Sequence, residues 1–162
     1  MAQAKVLGRY RIQSGFTLVE LVTVIVLLGI LSVYVAPRIF DLGVFKERGF
    51  FDETQSALRY AQKLAVGSGC AVQVSISSNS YTLNQATVCN GAVFTLAVPH
   101  PSGSSPFAAT APAGVVLAPA PTTLVFNALG QISAGIAGDF QDITVGTQTL
   151  RLWRESGYVE RL

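Results

Sequence analysis

Residues 16–36 run for twenty-one positions with a single formal charge, Glu20. At about 1.5 Å of rise per residue, a helix of that length just crosses a hydrocarbon core of roughly 30 Å. The pattern predicts a membrane-spanning helix with a carboxylate near its start, a group that costs about 2.5 to 3.5 kcal/mol inside such a span and calls for a partner. Further along, Phe51, Thr54, Leu58, Ala61 and Ala65 recur at spacings of three and four, with Ala57 and Leu64 beside them, while Asp52, Glu53, Gln55, Arg59 and Lys63 take other faces. This predicts an amphipathic helix of about 18 residues whose alanine-rich stripe packs on a core. Gly67 and Gly69 end it. Between the two helical stretches, Pro37, Gly43 and Gly49 punctuate a segment where the helix is expected to be bent or locally loosened.

From Cys70 the period shortens to two. Ala71-Val72-Gln73-Val74-Ser75-Ile76-Ser77 alternates, Ser78-Asn79 turns, and Tyr81-Thr82-Leu83-Asn84 returns, which predicts a β-hairpin. Counting pairs outward from that turn sets Cys70 opposite a residue near Thr87, within two positions of Cys89. Residues 93–98 read as a third strand, and 99–121 as a long Pro, Ser, Ala and Gly surface loop with one short strand at Val115-Val116-Leu117. Strands follow at 123–126, 143–145, 150–154 and 158–160, with turns at Asn127-Ala128-Leu129-Gly130 and Glu155-Ser156-Gly157. The fold class expected is α+β: a long N-terminal helix, transmembrane in its first half and amphipathic in its second, packed on an antiparallel β-sheet head. The segments are a basic leader (1–15), a membrane or filament-core helix (16–36), a bent connector with the amphipathic helix (37–69) and the β-rich head (70–162).

Charge sharpens this order. The formal net charge of +2 loses its meaning once Lys5, Arg9 and Arg11 are assigned to the leader. The head holds only Arg151, Arg154 and Arg161 against Asp139, Asp142, Glu155 and Glu160, so direct nucleic-acid binding, which needs clustered cations, is not favoured. Three cations and no acid precede the span, while acids interrupt the cations after it; the N-terminus is therefore expected in the cytoplasm and the head outside it. In that oxidising space the two cysteines, Cys70 and Cys89, are expected to form a disulfide. No metal or cofactor site is expected, and no catalytic residue: His100 between Pro99 and Pro101 has no orienting carboxylate nearby in the sequence, and no phosphate loop or carboxylate dyad is present.

A secretory signal has its small-residue cleavage site after the apolar stretch. Here Gly15 precedes it, and Pro37-Arg38 at the far end offers no such site. A cut after Gly15 keeps the helix and frees the amine of Phe16, a cation within about one helical turn of Glu20. Ser14-Gly15-Phe16-Thr17-Leu18-Val19-Glu20-Leu21, the apolar run after it and Pro37 together resemble the class III signal of type IV pilins and type II secretion pseudopilins. The resemblance implies a prepilin peptidase that cuts between Gly15 and Phe16 and methylates the amine of Phe16. It also implies that Glu20 sets assembly register by pairing with the N-terminal amine of a neighbouring subunit, and that Pro37 bends the helix. The partners it implies are other major and minor pilins or pseudopilins, an inner-membrane assembly platform, and membrane lipid before assembly.

Distal motifs narrow the resemblance. Ala57-Leu58-Arg59-Tyr60-Ala61-Gln62-Lys63-Leu64-Ala65-Val66, Phe126-Asn127-Ala128-Leu129-Gly130, Ile143-Thr144-Val145 and Glu155-Ser156-Gly157-Tyr158-Val159 are similar to the H-type minor pseudopilin and FimT group, and the cysteine-paired head also resembles MSHA-type minor pilins. Where that group usually carries glycine-arginine near its end, this chain has Ser156-Gly157-Tyr158. The function implied is a minor pilin or pseudopilin, a structural subunit and not an enzyme, in the inner membrane and then in a pilus or pseudopilus. A pilus-tip module binding DNA or a surface is the alternative, ahead of a membrane-anchored enzyme.

Overall fold

The computed structural model describes residues 15–39, 42–89 and 91–162, with side chains of the first helix described as far as Ser32. The basic leader expected at 1–15 lies, except for Gly15, outside the described residues. Two compact units divide the chain, Met1–Asp41 and Leu42–Leu162. This places the division inside the segment expected to run from 37 to 69.

The first unit contains α1, Leu18–Ile39. Thr17 caps it: its Oγ1 accepts the Glu20 N–H at 3.2 Å, and its carbonyl accepts the Leu21 N–H at 3.1 Å. The hydroxyl thereby satisfies one of the donors that a helix start leaves open. The helix runs through Pro37 and two residues beyond it.

The second unit opens with α2, Leu42–Ser68. It is 27 residues long and runs without interruption through Gly43 and Gly49. A glycine in a helix interior costs about 1 kcal/mol relative to alanine, and the residues after Gly49 outweigh that. Phe50 and Phe51 are buried, which pins this turn of helix to the core. Ala57, Leu58, Ala61 and Ala65 continue the buried stripe, and Thr54 joins it with its hydroxyl donated to the Phe50 carbonyl at 2.8 Å. Gly69, with φ of 68°, takes the left-handed conformation that ends the helix.

Ten strands follow among the described residues, all antiparallel to their neighbours: β1 (Val72–Ile76), β2 (Ser80–Gln85), β3 (Leu96–Ala97), β4 (Ala108–Thr110), β5 (Leu117–Ala118), β6 (Thr122–Phe126), β7 (Ile132–Ala134), β8 (Phe140–Val145), β9 (Gln148–Trp153) and β10 (Val159–Arg161). One sheet has the order β3-β2-β1-β6-β7, with β4 also on β2; the other has the order β10-β9-β8-β5. Burial alternates along β1 and along the middle of β9, so each sheet gives one face to the interior. Val72, Val74, Leu83, Leu124 and Phe126 from the first sheet and Ile143, Val145, Leu150 and Leu152 from the second form one core with the stripe of α2.

The hairpin register pairs Val72 with Gln85 and Ile76 with Tyr81, which continued outward sets Cys70 against Thr87. Three strand expectations need correction. Residues 93–95 are not in β3, because the segment after β2 folds back on itself: Thr87 N–H donates to the Val93 carbonyl, and Gly91 N–H to that of Val88. The loop at 99–121 holds two short strands, β4 and β5, and β5 begins at Leu117 where Val145 pairs with it. The sequence reading also lacks β7, which follows a register shift between Val125 and Phe126.

Candidate assembly site

Phe16 stands 85% exposed and Leu18 78%, and large apolar side chains remain uncovered along α1 to Leu31. A helix that is apolar on every side needs to be buried by something other than water. Among the described residues of its own unit, nothing supplies that cover. Among the described residues, no helix is long and apolar enough to cross a membrane.

Glu20 is exposed, in the first turn of α1 and within the capped segment. The helix dipole favours a carboxylate in that turn, so part of the reason for an acid here is local. Thr17-Leu18-Val19-Glu20 has the spacing of a capping box, a signal that the charge-pairing argument passes over. Gly15 is also exposed, and a Cβ built on it would meet no atom within 4 Å. Among the described residues, packing therefore gives no reason for glycine at 15. Pro37 lies within α1.

In the head, Cys70 and Cys89 form a disulfide that closes the open end of the β1–β2 hairpin. Ser68 Oγ accepts from the Cys70 N–H and from Gln85 Nε2, at 3.3 and 2.7 Å, tying the same corner to the end of α2.

Long-range polar contacts seat α2 on the head. Glu47 Oε1 accepts from both the backbone N–H and the hydroxyl of Thr147, each at 2.6 Å, in the turn between β8 and β9. The Thr147 hydroxyl first, and then its N–H, hold the Glu47 carboxyl below the usual carboxylate range. Arg161 approaches Asp52 at 3.4 Å and lies over the Phe51 ring at 4.6 Å. Arg59 Nη2 donates to the Val159 carbonyl at 3.1 Å, covering the edge of β10. Gln62 Nε2 donates to the carbonyls of Ser156 at 2.7 Å and Gly130 at 3.3 Å. The sequence reading assigned none of these contacts. Its only trace of them is the glycines at 130, 146 and 157, all with positive φ in the turns that α2 meets.

The two sheets are joined at Arg154. Its carbonyl accepts the Ile132 N–H at 2.9 Å, and its side chain holds the carbonyls of Gly138 and Ile136. On β8 and β9, Arg151 makes two 2.8 Å bonds to Asp142, which keep that carboxyl below its usual range and raise the guanidinium. His100 Nδ1 and Ser102 Oγ are 2.6 Å apart in a tight turn, with the ring edge-on to Phe107 at 4.4 Å. No Asp or Glu contacts this pair among the described residues, so the orienting carboxylate of a triad is missing from it.

Residues 10–36 match the family described as the prokaryotic N-terminal methylation motif. No curated protein sequence matches the chain. Among solved structures, the minor pseudopilin EpsH from the type 2 secretion system of Vibrio cholerae is similar in fold, with 18% identity, a TM-score of 0.50, and coverage of 72% of this chain and 96% of that one.

Proposed function

We propose that this chain is a minor pseudopilin or minor pilin of the type IV pilin superfamily, H-type, a structural subunit of an envelope filament. The observation that carries the reading is α1, which lies within and just beyond the methylation-motif segment and leaves its apolar side chains uncovered as far as Leu31. An EpsH-like head behind such a helix supports the same conclusion.

In this reading prepilin peptidase cuts between Gly15 and Phe16 and methylates the new amine. The whole apolar run of the sequence, 16–36, serves first as the inner-membrane anchor, with the N-terminus cytoplasmic and the head periplasmic. Acyl chains cover the helix there. In the filament, the helices of other pilins cover it instead, after extraction by an assembly platform. Glu20 then faces the amine of Phe16 in a neighbouring subunit. An unpaired carboxylate is heavily penalised in a low-dielectric core, so one stagger of the helices is favoured over the rest. Pro37 sets a bend before the head, and the Cys70–Cys89 bridge holds the head's corner in the oxidising periplasm.

Mass spectrometry of unreduced protein from native membranes tests this. A chain that begins at Phe16 with one added methyl and lacks two hydrogens is the expected result. A chain that retains residues 1–15 in cells with active prepilin peptidase overturns the reading.

A further inference from the structure

A cleft of about 310 Å3 lies between α2 and the turn at Pro101, lined by Ser56, Arg59, Tyr60, Lys63 and Pro101. Arg59 and Lys63 are four residues apart on one helix, where like charges repel. Neither finds an acid on its own helix: the positions three and four away from them hold Gln55, Ser56, Tyr60, Gln62, Val66 and Gly67 besides each other. Nor does the head supply one. The ion pairs among the described residues are Arg151 with Asp142 and Arg161 with Asp52. Arg59 makes its hydrogen bond to the neutral Val159 carbonyl, which fixes the guanidinium without neutralising it.

The wall of the cleft is held in place from behind. Tyr60 packs on Phe107 at 5.4 Å between ring centres, and Phe107 carries His100 edge-on beside Pro101. The cleft thus joins two cations that lack a counter-charge to a tyrosine ring and a proline ring. We propose that it receives a peptide segment of a neighbouring filament subunit, in which an Asp or Glu side chain settles between Arg59 and Lys63 and an adjacent apolar residue lies on Tyr60 and Pro101. Charge complementarity argues for the carboxylate, which turns a repulsive pair into a bridged one. The apolar rings argue for a peptide over a bare anion, because a small hydrated anion gains nothing from them. The proposal rests on the reading of the chain as a filament subunit.

The test is zero-length coupling in native membranes with a carbodiimide, which joins an amine to a carboxylate in direct contact, followed by digestion and mass spectrometry. The expected product links Lys63 Nζ to an Asp or Glu of a second pilin-type subunit. It disappears in Lys63→Arg, whose guanidinium keeps the charge but does not couple, and falls several-fold at about 0.5 M salt, where screening is nearly complete beyond contact distance. Linkages of Lys63 confined to a single chain, or no linkage at Lys63 in a sample where exposed Lys46 is coupled, overturn the proposal. The same digest reports the N-terminus. A chain starting at Met1 defeats the filament reading, whereas one starting at Phe16 without the Lys63 linkage defeats the cleft alone.

Discussion

The amide of Gln62 holds the carbonyl of Ser156 at 2.7 Å, ninety-four residues away in sequence, and reaches the carbonyl of Gly130 at 3.3 Å with the same nitrogen. One side chain on α2 therefore fixes the two turns that enter β7 and β10. Gln62→Ala removes both bonds and leaves two carbonyls without this donor. A loss of about 1 to 2 kcal/mol is expected, read as a lower midpoint in thermal or denaturant unfolding of the full chain. An unchanged midpoint would show that water replaces the amide at no cost.

Gly157 sits against the same junction with φ of 60°, and a Cβ on it would overlap the Gly130 carbonyl oxygen and crowd Gln62 Nε2. Gly114 has φ of 88°, but a Cβ there meets nothing within 4 Å. Gly114→Ala is expected to cost about 1 to 2 kcal/mol from the left-handed backbone alone. Gly157→Ala adds the collision to that cost and should be the more destabilising by a clear margin. Equal losses in the two variants would remove the argument from close approach.

Acid should loosen the head through two carboxylates. Glu47 is held below its usual range by Thr147, and Asp142 by Arg151, so both are depressed in the folded chain. Groups of this sign contribute stability that is complete above the unfolded carboxylate range and is lost as pH falls through the folded value. Melting temperature should therefore decline as pH drops from about 5 toward 2. Asp142→Asn should start lower at neutral pH and show a flatter acid limb. A limb of unchanged steepness would assign the acid loss to other groups.

The Tyr81 hydroxyl is buried, and the Glu53 carboxylate lies near enough to act on it without closing a hydrogen bond of good geometry. Burial first, and then the charge and close approach of Glu53, push its ionisation well up, so it stays a neutral phenol. Removing a buried donor whose nearby acceptor is poorly placed recovers part of its desolvation cost, which is about 1 to 3 kcal/mol. Tyr81→Phe keeps the ring contacts with Phe50 and Phe107. It should hold or raise the unfolding midpoint, and a fall of more than about 1 kcal/mol would reveal a partner for the hydroxyl.

For Glu20, the filament reading sets processing apart from assembly. Glu20→Ala should be cleaved and should enter the membrane normally, yet be incorporated several-fold less. Removing one partner of a buried ion pair leaves the other charge uncompensated, at about 3 to 5 kcal/mol. Fractionation of sheared filaments against membranes reads this out. Normal incorporation would leave the carboxylate with only its helix-start role beside Thr17.

What the sequence made legible was whatever repeats locally. The three-and-four spacing from Phe51 to Ala65 marked the buried stripe of α2, and counting from Ser78-Asn79 placed Cys70 opposite Thr87, as the Val72 to Gln85 pairing also does. Strands of two or three residues, such as β4 and β7, carry too little alternation to register, and they exist because β2 and β6 offer them an edge. Gly49 reads as a place of loosening because helix propensity is local, whereas the burial of Phe50 and Phe51 that carries the helix past it is tertiary. Glu47, Gln62 and Arg154 were silent for a related reason. Their partners lie at Thr147, Ser156 and Ile136, and a polar side chain gives no periodic sign of a contact made so far along the chain.

The bonds that seat α2 have a mechanical consequence. Glu47, Asp52, Arg59 and Gln62 reach Thr147, Arg161, Val159 and Ser156, so a row of polar ties along the helix ends in the last sixteen residues of the chain. Tension entering at Leu42 and directed along the helix axis pulls these ties sideways and loads them together, the geometry in which parallel bonds share a force and fail as a group. Force applied across the axis would peel them one at a time, beginning at Glu47.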